Sequence, residues 1–419
     1  MIKILKGHII HTPTKERFEV HADSYIVVED EQVVGIYKIL PDQYNDQSII
    51  DYGSSIIIPS FIDAHLHAPQ YMQMGVGLDL ELMDWLNQYT FMLEGRFADV
   101  NYAKKVYPHY VDALYEYGTL RSCIFGTIHD EANRYLVHAM KEKGLSGYVG
   151  KVNMDRNAPV SLVQTAERSL KETENFIRDF KDDSMVKPIV TPRFAPSCTD
   201  ELLDGLGRLS VTYHVPVQSH LAENKAEVAW VKTLFPESAS YTDVYVKHQL
   251  YGPEKTLMAH SIYLDSVEME LAKSAYIYMV HCPNSNMNLS SGIMPVTQFL
   301  DEGITVGLGS DIGAGHTLAM QQTITSAIQC SKIRHVLSPK ERILSEPEAF
   351  HMATKVNGSF FESFGLIGSF ETGYQFDALV IKDPSPIMDT LKPVEQLQRF
   401  LYCGWTESIQ VRYLNGKNI

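Results

Sequence analysis

The chain has 419 residues, of which 45% are hydrophobic and 21% charged, the proportions of an ordinary globular protein with a large core. Its formal net charge of −15 would repel a nucleic-acid backbone, which argues against nucleic acid as a partner. The five cysteines are scattered and form no Cys-x-x-Cys pair, so neither a disulfide scaffold nor a thiolate zinc site is expected. Because no apolar run is long enough for a membrane span, we predict a cytoplasmic protein without membrane contacts.

The N-terminal segment has the pattern of β structure. Residues 24–39 (SYIVVEDEQVVGIYKI) place two apolar runs around a polar turn, which predicts a β-hairpin. A similar strand pattern returns near the other terminus, at residues 376–383 (FDALVIKD). We therefore predict that residues 1–58 and 371–419 together form a small β-sandwich domain.

The middle of the chain alternates apolar strands with amphipathic helices. Residues 160–177 carry apolar side chains at helical spacing, and residues 225–235 (KAEVAWVKTLF) predict a second helix that ends before Pro236. Strands that alternate with helices indicate βαβ units and a parallel sheet. About eight such units in roughly 300 residues fit a closed barrel, so we predict an α/β fold with a (β/α)8 TIM-like barrel over residues 59–370.

Metal-capable side chains stand where several predicted strands end. His65 and His67 come directly after an apolar run, and side chains two residues apart on a strand point to the same face. An isolated pair of this kind would equally suit the polar tip of a surface strand. Later strands, however, also end in such side chains, namely His220, His260, His281 and Asp311. In an α/β barrel these carboxyl ends of the strands form the face that carries the chemistry.

Histidine and aspartate together indicate a metal site with hydrolytic chemistry. Nitrogen and oxygen donors suit a divalent transition metal such as zinc that keeps one position for water. Such a metal lowers the pKa of bound water toward neutrality and so creates a nucleophile. Glu223 lies three residues after His220 and is placed to carry protons between water and substrate. Taken alone, Glu223 would also suit a solvated position at the start of a helix.

Seven segments together resemble the amidohydrolase superfamily and, within it, the guanine deaminase family. They run from about residue 58 to residue 320 and read PSFIDAHLHAPQY, GKVNMDRNAP, PRFAPSCTDELL, QSHLAENKAEV, MAHSIYL, HCPNSNMNLSSGIMPV and GLGSDIGAGHTLAM. The resemblance implies a homodimeric enzyme that hydrolyses guanine, a small-molecule substrate, to xanthine and ammonia. It also implies one Zn²⁺ per chain, with iron as the alternative, because a site of three histidines and one aspartate accepts either metal.

The resemblance further implies a role for individual residues. The implied metal ligands are His65, His67, His220 and Asp311. The implied catalytic residues are Glu223, which carries protons, His260, which orients the water, and Asp311, which takes a proton from it. The implied contacts of the base are Gln70, Arg193, Phe194, His220, Glu223 and Asp311. These assignments fit the chemistry of guanine, which offers a carbonyl oxygen to a guanidinium, a ring edge to an amide and a flat face to an aromatic ring.

Three further expectations concern the surroundings of the site. Members with two metals bridge them with a lysine or glutamate from the fourth strand, and residues 188–196 (PIVTPRFAP) contain neither, so we predict one metal and a structural role for Lys151. His281 is expected either beside the substrate or the ligands, or in a structural hydrogen bond. Residues 78–97 are predicted to form a helical cover over the pocket, with an ordinary packing helix as the alternative.

Two other functions compete with deamination of guanine. The first is deamination or dechlorination of an adenosine-type, pterin or triazine ring by another member of the superfamily; the motifs HAPQY and PRFAPS favour guanine over these rings. The second, from a different class, is a non-catalytic scaffold of the same fold. Such scaffolds typically lose metal ligands, whereas this chain keeps all four.

Overall fold

The computed structural model describes residues 2–382 and 390–419. In chain order its strands are β1 (Ile2–His11), β2 (Glu19–Glu29), β3 (Gln32–Tyr37), β4 (Ile49–Pro59), β5 (Phe61–His67), β6 (Thr119–Phe125), β7 (Ser146–Gly150), β8 (Val152–Asn153), β9 (Val186–Pro188), β10 (Thr191–Pro192), β11 (Val217–Leu221), β12 (Thr256–His260), β13 (Tyr278–His281), β14 (Thr305–Leu308), β15 (Ala378–Ile381), β16 (Ile409–Leu414) and β17 (Lys417–Asn418).

The α-helices of these ranges lie mostly between the strands of the middle region. They are α1 (Leu82–Trp85), α2 (Phe91–Gly95), α3 (Val100–Glu116), α4 (Asp130–Lys143), α5 (Ala166–Phe180), α6 (Asp200–Tyr213), α7 (Lys225–Leu234), α8 (Tyr241–Lys247), α9 (Ser266–Ser274), α10 (Pro283–Asn288), α11 (Val296–Asp301), α12 (Met320–Leu337), α13 (Glu346–His351), α14 (Asn357–Phe360) and α15 (Pro393–Cys403). Within the described ranges, no helix combines the length and the apolar character that crossing a membrane requires.

The predicted barrel is present. Two four-stranded parallel sheets, β5-β6-β7-β9 and β11-β12-β13-β14, meet at two seams. At one seam the backbone N–H of Gln218 donates to the carbonyl oxygen of Val190 over 2.9 Å. At the other seam the N–H of Asp311 donates to the carbonyl oxygen of His65 over 2.8 Å. Hydrogen bonds at both seams close the strands into a ring with one face of carboxyl ends.

The fourth position of the barrel wall is the most irregular. β9 ends at Pro188, and β10 is a two-residue strand that ends at Pro192 and pairs with β8. Each proline lacks an N–H and so interrupts the ladder of hydrogen bonds along the sheet. Arg193 and Phe194 follow directly, which places them at the carboxyl end of this broken strand.

The terminal segments form a separate sheet with the order β17-β16-β15-β4-β1-β2-β3. The predicted hairpin is confirmed as β2 and β3, and the strand predicted at 376–383 as β15, although Asp383 lies outside the described residues. The edge strand β3 bonds back to the chain before β15, since the N–H of Val33 donates to the carbonyl oxygen of Tyr374 over 2.8 Å. The layers of the predicted sandwich are therefore parts of one curled sheet around a shared apolar core. The boundaries after residues 58 and 370 stay a prediction.

One predicted helix begins later than expected. The pattern predicted a helix over residues 160–177, but α5 begins at Ala166, and Val160 is 90% exposed. The side chain of Thr165 accepts a hydrogen bond from the N–H of Arg168 and so caps the helix there. The apolar residues before Thr165 continue the helical spacing by coincidence. The second predicted helix is confirmed as α7, which ends two residues before Pro236.

A buried ion pair joins the small sheet to the barrel. Arg121 of β6 donates from Nε to Asp377 Oδ2 over 2.6 Å, and both side chains are about 1% exposed. The two terminal nitrogens of the guanidinium donate to Ser146 Oγ over 2.8 Å and to Asn415 Oδ1 over 2.6 Å. Because each nitrogen of the buried cation is bonded, the pair is tolerated in the interior and fixes the two parts of the chain against each other.

We expect Asp377→Ala to lower the free energy of unfolding by about 3–5 kcal/mol, because the substitution leaves the Arg121 charge buried without its counter-ion. Urea unfolding followed by tryptophan fluorescence measures the change. Asp112 pairs with Lys143 on the surface, where its side chain is 53% exposed, and Asp112→Ala should cost less than about 1 kcal/mol. Equal losses of unfolding free energy in the two variants would show that the buried pair contributes no more to stability than the surface pair.

Candidate metal and substrate site

Four side chains converge at the carboxyl ends of the barrel strands. His65 and His67 end β5, His220 lies in β11, and Asp311 follows β14. The Nε2 atoms of His67 and His220 are 3.1 Å apart, and Asp311 Oδ1 lies 3.2 Å from His65 Nε2 and 3.4 Å from His67 Nε2. Ligand atoms around a tetrahedral zinc ion are separated by about 3.3 Å, since each lies 2.0–2.1 Å from the metal. These three distances are therefore those expected within a metal shell.

The chemistry of the histidines also fits a metal. His65 is fully buried, and within the described part of the chain neither of its ring nitrogens makes a hydrogen bond. Burial lowers the pKa of His65 and lowers that of His67 to about 4, so both rings are neutral and keep a lone pair. A buried nitrogen without a partner is costly unless something binds it. A divalent cation would satisfy one such lone pair on each ring.

Neighbouring groups fix the protonation and orientation of the other two predicted ligands, His220 and Asp311. His220 Nδ1 donates to the carbonyl oxygen of Arg193 over 2.5 Å, which leaves the lone pair on Nε2 for a metal. Burial alone would raise the pKa of Asp311, but the facing imidazoles of His65, His67 and His260 outweigh it and hold that pKa well below its usual range. Asp311 is thus a carboxylate.

Glu223 and His260 lie beside this cluster. Burial, together with the charge of Asp311, raises the pKa of Glu223 to about 8, so its carboxyl group carries a proton at neutral pH. Glu223 Oε2 lies 3.4 Å from His260 Nε2, and its Oε1 accepts from Ser291 Oγ over 3.1 Å. His260 Nδ1 donates to Asn286 Oδ1 over 2.9 Å, and this contact turns Nε2 toward Glu223 and Asp311. The cluster therefore has a proton donor at its edge.

A cavity opens above the donor atoms, at the carboxyl ends of the barrel strands, where ligands bind in such barrels. Its lining residues are His67, Gln70, Leu82, Trp85, Leu86, Arg193, Phe194, His220, Glu223, His260, Leu289, Asp311 and Ala314. The structure thus brings together all the predicted base contacts with the predicted catalytic residues. His65 is fully buried and is not one of the residues that line the cavity. The walls combine apolar side chains with a few polar groups, as ligand pockets usually do.

The comparisons with known proteins agree with this arrangement. The model of the amidohydrolase family matches residues 56–409. The chain belongs to the amidohydrolase family. It is 38% identical to the guanine deaminase of Dictyostelium discoideum over 100% of this chain and 98% of that protein, and 40% identical to that of Rattus norvegicus over 86% and 82%. The crystal structure of a guanine deaminase from C. acetobutylicum with guanine bound in its active site is similar over 100% of both chains, with 48% identity and a TM-score of 0.98.

The segment predicted as a cover lies over the pocket of this amidohydrolase. Helix α1, a π-helical turn at Leu86–Thr90, helix α2 and a 3-10 turn at Arg96–Ala98 follow one another without a break, so the helical part begins at Leu82 and not at residue 78. Leu82, Trp85 and Leu86 line the cavity, and the Trp85 indole donates to the carbonyl oxygen of Val76 over 3.0 Å. The segment therefore supplies part of the apolar wall of the site.

Glu94, on the same segment of this amidohydrolase, is a site residue that the sequence reasoning missed. Its carboxylate forms a buried ion pair with the guanidinium of Arg193 and accepts a hydrogen bond from Gln70 Nε2 over 2.8 Å. The signal in the sequence is a single acidic residue among apolar ones, in FMLEGRF. A charge at such a position needs a partner when the segment is buried.

Two predicted neighbours of the site do not line the cavity. Lys151 is fully buried and donates to Gln164 Oε1 over 2.9 Å, and burial lowers its pKa to about 8; these contacts agree with a structural role. His281 is also buried, which lowers its pKa to about 3. Neither of its ring nitrogens has a hydrogen-bond partner among the residues described. A contact between His281 and the substrate is therefore not supported by the shape of the cavity.

Proposed function

We infer that this amidohydrolase is a guanine deaminase, which hydrolyses guanine to xanthine and ammonia. The observation that carries the inference is a cluster of three histidines and one aspartate that opens into a cavity with Arg193 and Gln70 on its polar wall. The relatives named above carry the same activity in their names, and the solved relative at 48% identity has guanine bound in its active site. The homodimer and the cytoplasmic location stay predictions.

The ligand set supports one zinc ion per chain. His65, His67, His220 and Asp311 would hold a divalent metal, which would supply the Lewis acidity that makes water a nucleophile near neutral pH. Zinc suits this mixture of nitrogen and oxygen ligands, and iron, which accepts the same donors, is the alternative. A single metal is favoured because residues 188–196 contain neither a lysine nor a glutamate that could bridge a second one.

The residues around the ligands account for the movement of protons. Glu223, protonated before the reaction, gives its proton to the ring nitrogen next to the amine-bearing carbon of guanine as water adds to that carbon. Asp311 accepts a proton from the water, and His260, held by Asn286, keeps the water in line. The proton on Asp311 then passes to the amine, which leaves as ammonia. The hydroxyl group on the same carbon returns a proton to Glu223 as it becomes the carbonyl group of xanthine.

The polar wall accounts for the choice of base. Arg193 donates hydrogen bonds to the carbonyl oxygen of guanine, Gln70 bonds to the ring edge, and Phe194 covers one face of the ring. Adenine carries an amine where guanine carries this carbonyl, so the amine would face the N–H groups of Arg193, donor against donor. Triazine rings offer a different order of donors and acceptors to the same wall. Pterin has the same amino-oxo-pyrimidine edge as guanine, so a panel of ring substrates separates these two.

We expect Glu223→Gln to lower kcat by about 10²- to 10⁴-fold, because the amide keeps the shape of the side chain but cannot transfer the proton. Steady-state kinetics with guanine and elemental analysis of the purified variant measure turnover and metal content, and the latter should stay unchanged. Glu237→Gln, at an exposed position, is the matched control and should leave both unchanged. Wild-type turnover in Glu223→Gln would remove Glu223 from the mechanism.

The identity of the substrate is tested by comparing kcat/KM for guanine and adenine. In the wild type we expect guanine to be preferred by about 10⁴-fold or more, since the site leaves a buried donor unpaired with the wrong base. Arg193→Ala should lose activity on guanine mainly through a higher KM and should keep its metal. Arg193→Lys should keep only part of the wild-type activity on guanine, because lysine lacks the planar fork of the guanidinium.

A wild-type enzyme that prefers adenine would contradict the guanine assignment. So would an Arg193→Ala variant with unchanged turnover of guanine. In either case the metal-dependent hydrolytic class would remain, and a panel of pterin and triazine rings would then identify the substrate.

A further inference from the structure

Glu94 brings a negative charge from the cover segment into the wall of the cavity. The residue belongs to α2 and is only 3% exposed. None of the proton transfers in the reaction requires it, and it does not line the cavity itself. Because burying a carboxylate is costly, a group that is retained there must be compensated by the contacts that it makes.

Both oxygens of Glu94 bond to groups that face the base. Oε2 pairs with Arg193 Nη1, and Oε1 accepts from Gln70 Nε2 over 2.8 Å. Arg193 and Gln70 are themselves 4% and 2% exposed, so the three side chains form one buried network. The carboxylate therefore fixes the position of the guanidinium and of the amide at the same time.

The network also determines which way the Gln70 amide points. Its Nε2 donates to Glu94, while its Oε1 accepts from the backbone N–H of Gly313 over 3.1 Å. A flipped amide would place its NH₂ group against that N–H and its oxygen against the carboxylate. Both contacts of the flipped amide would be repulsive, so only one orientation of the amide is favourable. The N–H and the lone pair of Gln70 that these contacts leave free therefore face the cavity in a fixed arrangement.

The charge of Glu94 has a second consequence. Arg193 without a counter-ion would make the polar wall cationic and favour anionic ligands. Guanine is a neutral base near neutral pH, whereas xanthine, with two ring carbonyls that stabilise an anion, loses a proton more readily. A neutral Arg193–Glu94 pair therefore favours the substrate over the deprotonated product.

We propose that Glu94 is a positioning residue that orients Arg193 and Gln70 for guanine and, by neutralising Arg193, keeps xanthine from being retained. The role rests on the proposed function, deamination of guanine. It reaches the reaction through two other side chains, so Glu94 is not itself a catalytic residue.

The first test is Glu94→Gln, which keeps the size of the side chain and removes its charge. Loss of a hydrogen bond to a charged group should lower kcat/KM for guanine by about 10- to 100-fold, chiefly through KM. The inhibition constant of xanthine should fall relative to the KM of guanine by at least about tenfold, the effect of removing one charge–charge contact near the ligand. This shift should grow as the pH rises and xanthine loses its proton.

The matched control is Glu81→Gln, an exposed acid on the same segment that makes no capping hydrogen bond with its side chain. It should leave the kinetics and the inhibition by xanthine unchanged. Metal content and the midpoint of thermal unfolding of each variant report on folding. A role confined to stability would lower that midpoint without moving the ratio of xanthine inhibition to guanine KM.

A double-mutant cycle tests whether Glu94 acts through Arg193. If it does, the loss of kcat/KM in the double variant Glu94→Ala with Arg193→Ala is smaller than the product of the two single losses. Losses of kcat/KM that multiply independently would overturn the proposal. It would also be overturned if the wild type deaminates guanine but Glu94→Gln leaves the ratio of the xanthine inhibition constant to the guanine KM unchanged. A wild type that does not deaminate guanine would instead overturn the proposed function, and the role of Glu94 with it.

Discussion

The backbone hydrogen bond from Asp311 to His65 is the contact on which both fold and site depend. It joins the last strand of the barrel to the first and so closes the ring. The same two residues place their side chains 3.2 Å apart in the ligand cluster. Because closure and ligand assembly occur at the same point, the donors converge only when the barrel is complete. A metal bound at this cluster would in turn stabilise the closed ring, since a preformed site is absent from the unfolded chain.

The second principle of the site is that burial acts differently on similar groups. Glu223 and Asp311 are both buried carboxyl groups at the same cavity. Burial raises the pKa of Glu223 to about 8, whereas facing imidazoles hold that of Asp311 well below its usual range. One group is therefore a proton donor and the other an acceptor at the same pH. Pairs of titratable groups whose surroundings move their pKa values apart are the usual basis of acid–base catalysis.

The sequence predicted those features that depend on local pattern. The spacing of His65 and His67 on one strand, the alternation of strands and helices, and the hairpin β2–β3 each follow from periods of two or 3.6 residues. The predicted start of α5 at residue 160 was wrong because the helix is capped by Thr165, although the apolar spacing continues before it. Contacts between distant segments were beyond such patterns: Glu94 meets Arg193 across 99 positions, and Val33 bonds to Tyr374. The hydrophobic periodicity along the chain does not depend on such contacts, so it cannot predict them.

X-ray absorption at the metal edge of the enzyme, purified with its metal, tests the central claim most directly. We expect nitrogen and oxygen donors at about 2.0–2.1 Å, with outer scattering from three imidazole rings. Cys282 lies near His65 and Asp311, but burial raises its pKa well above the usual range, so no sulfur shell is expected at about 2.3 Å. A sulfur shell, fewer than three imidazoles, or a second metal at about 3.5–4 Å would contradict a single metal held by three histidines and one aspartate.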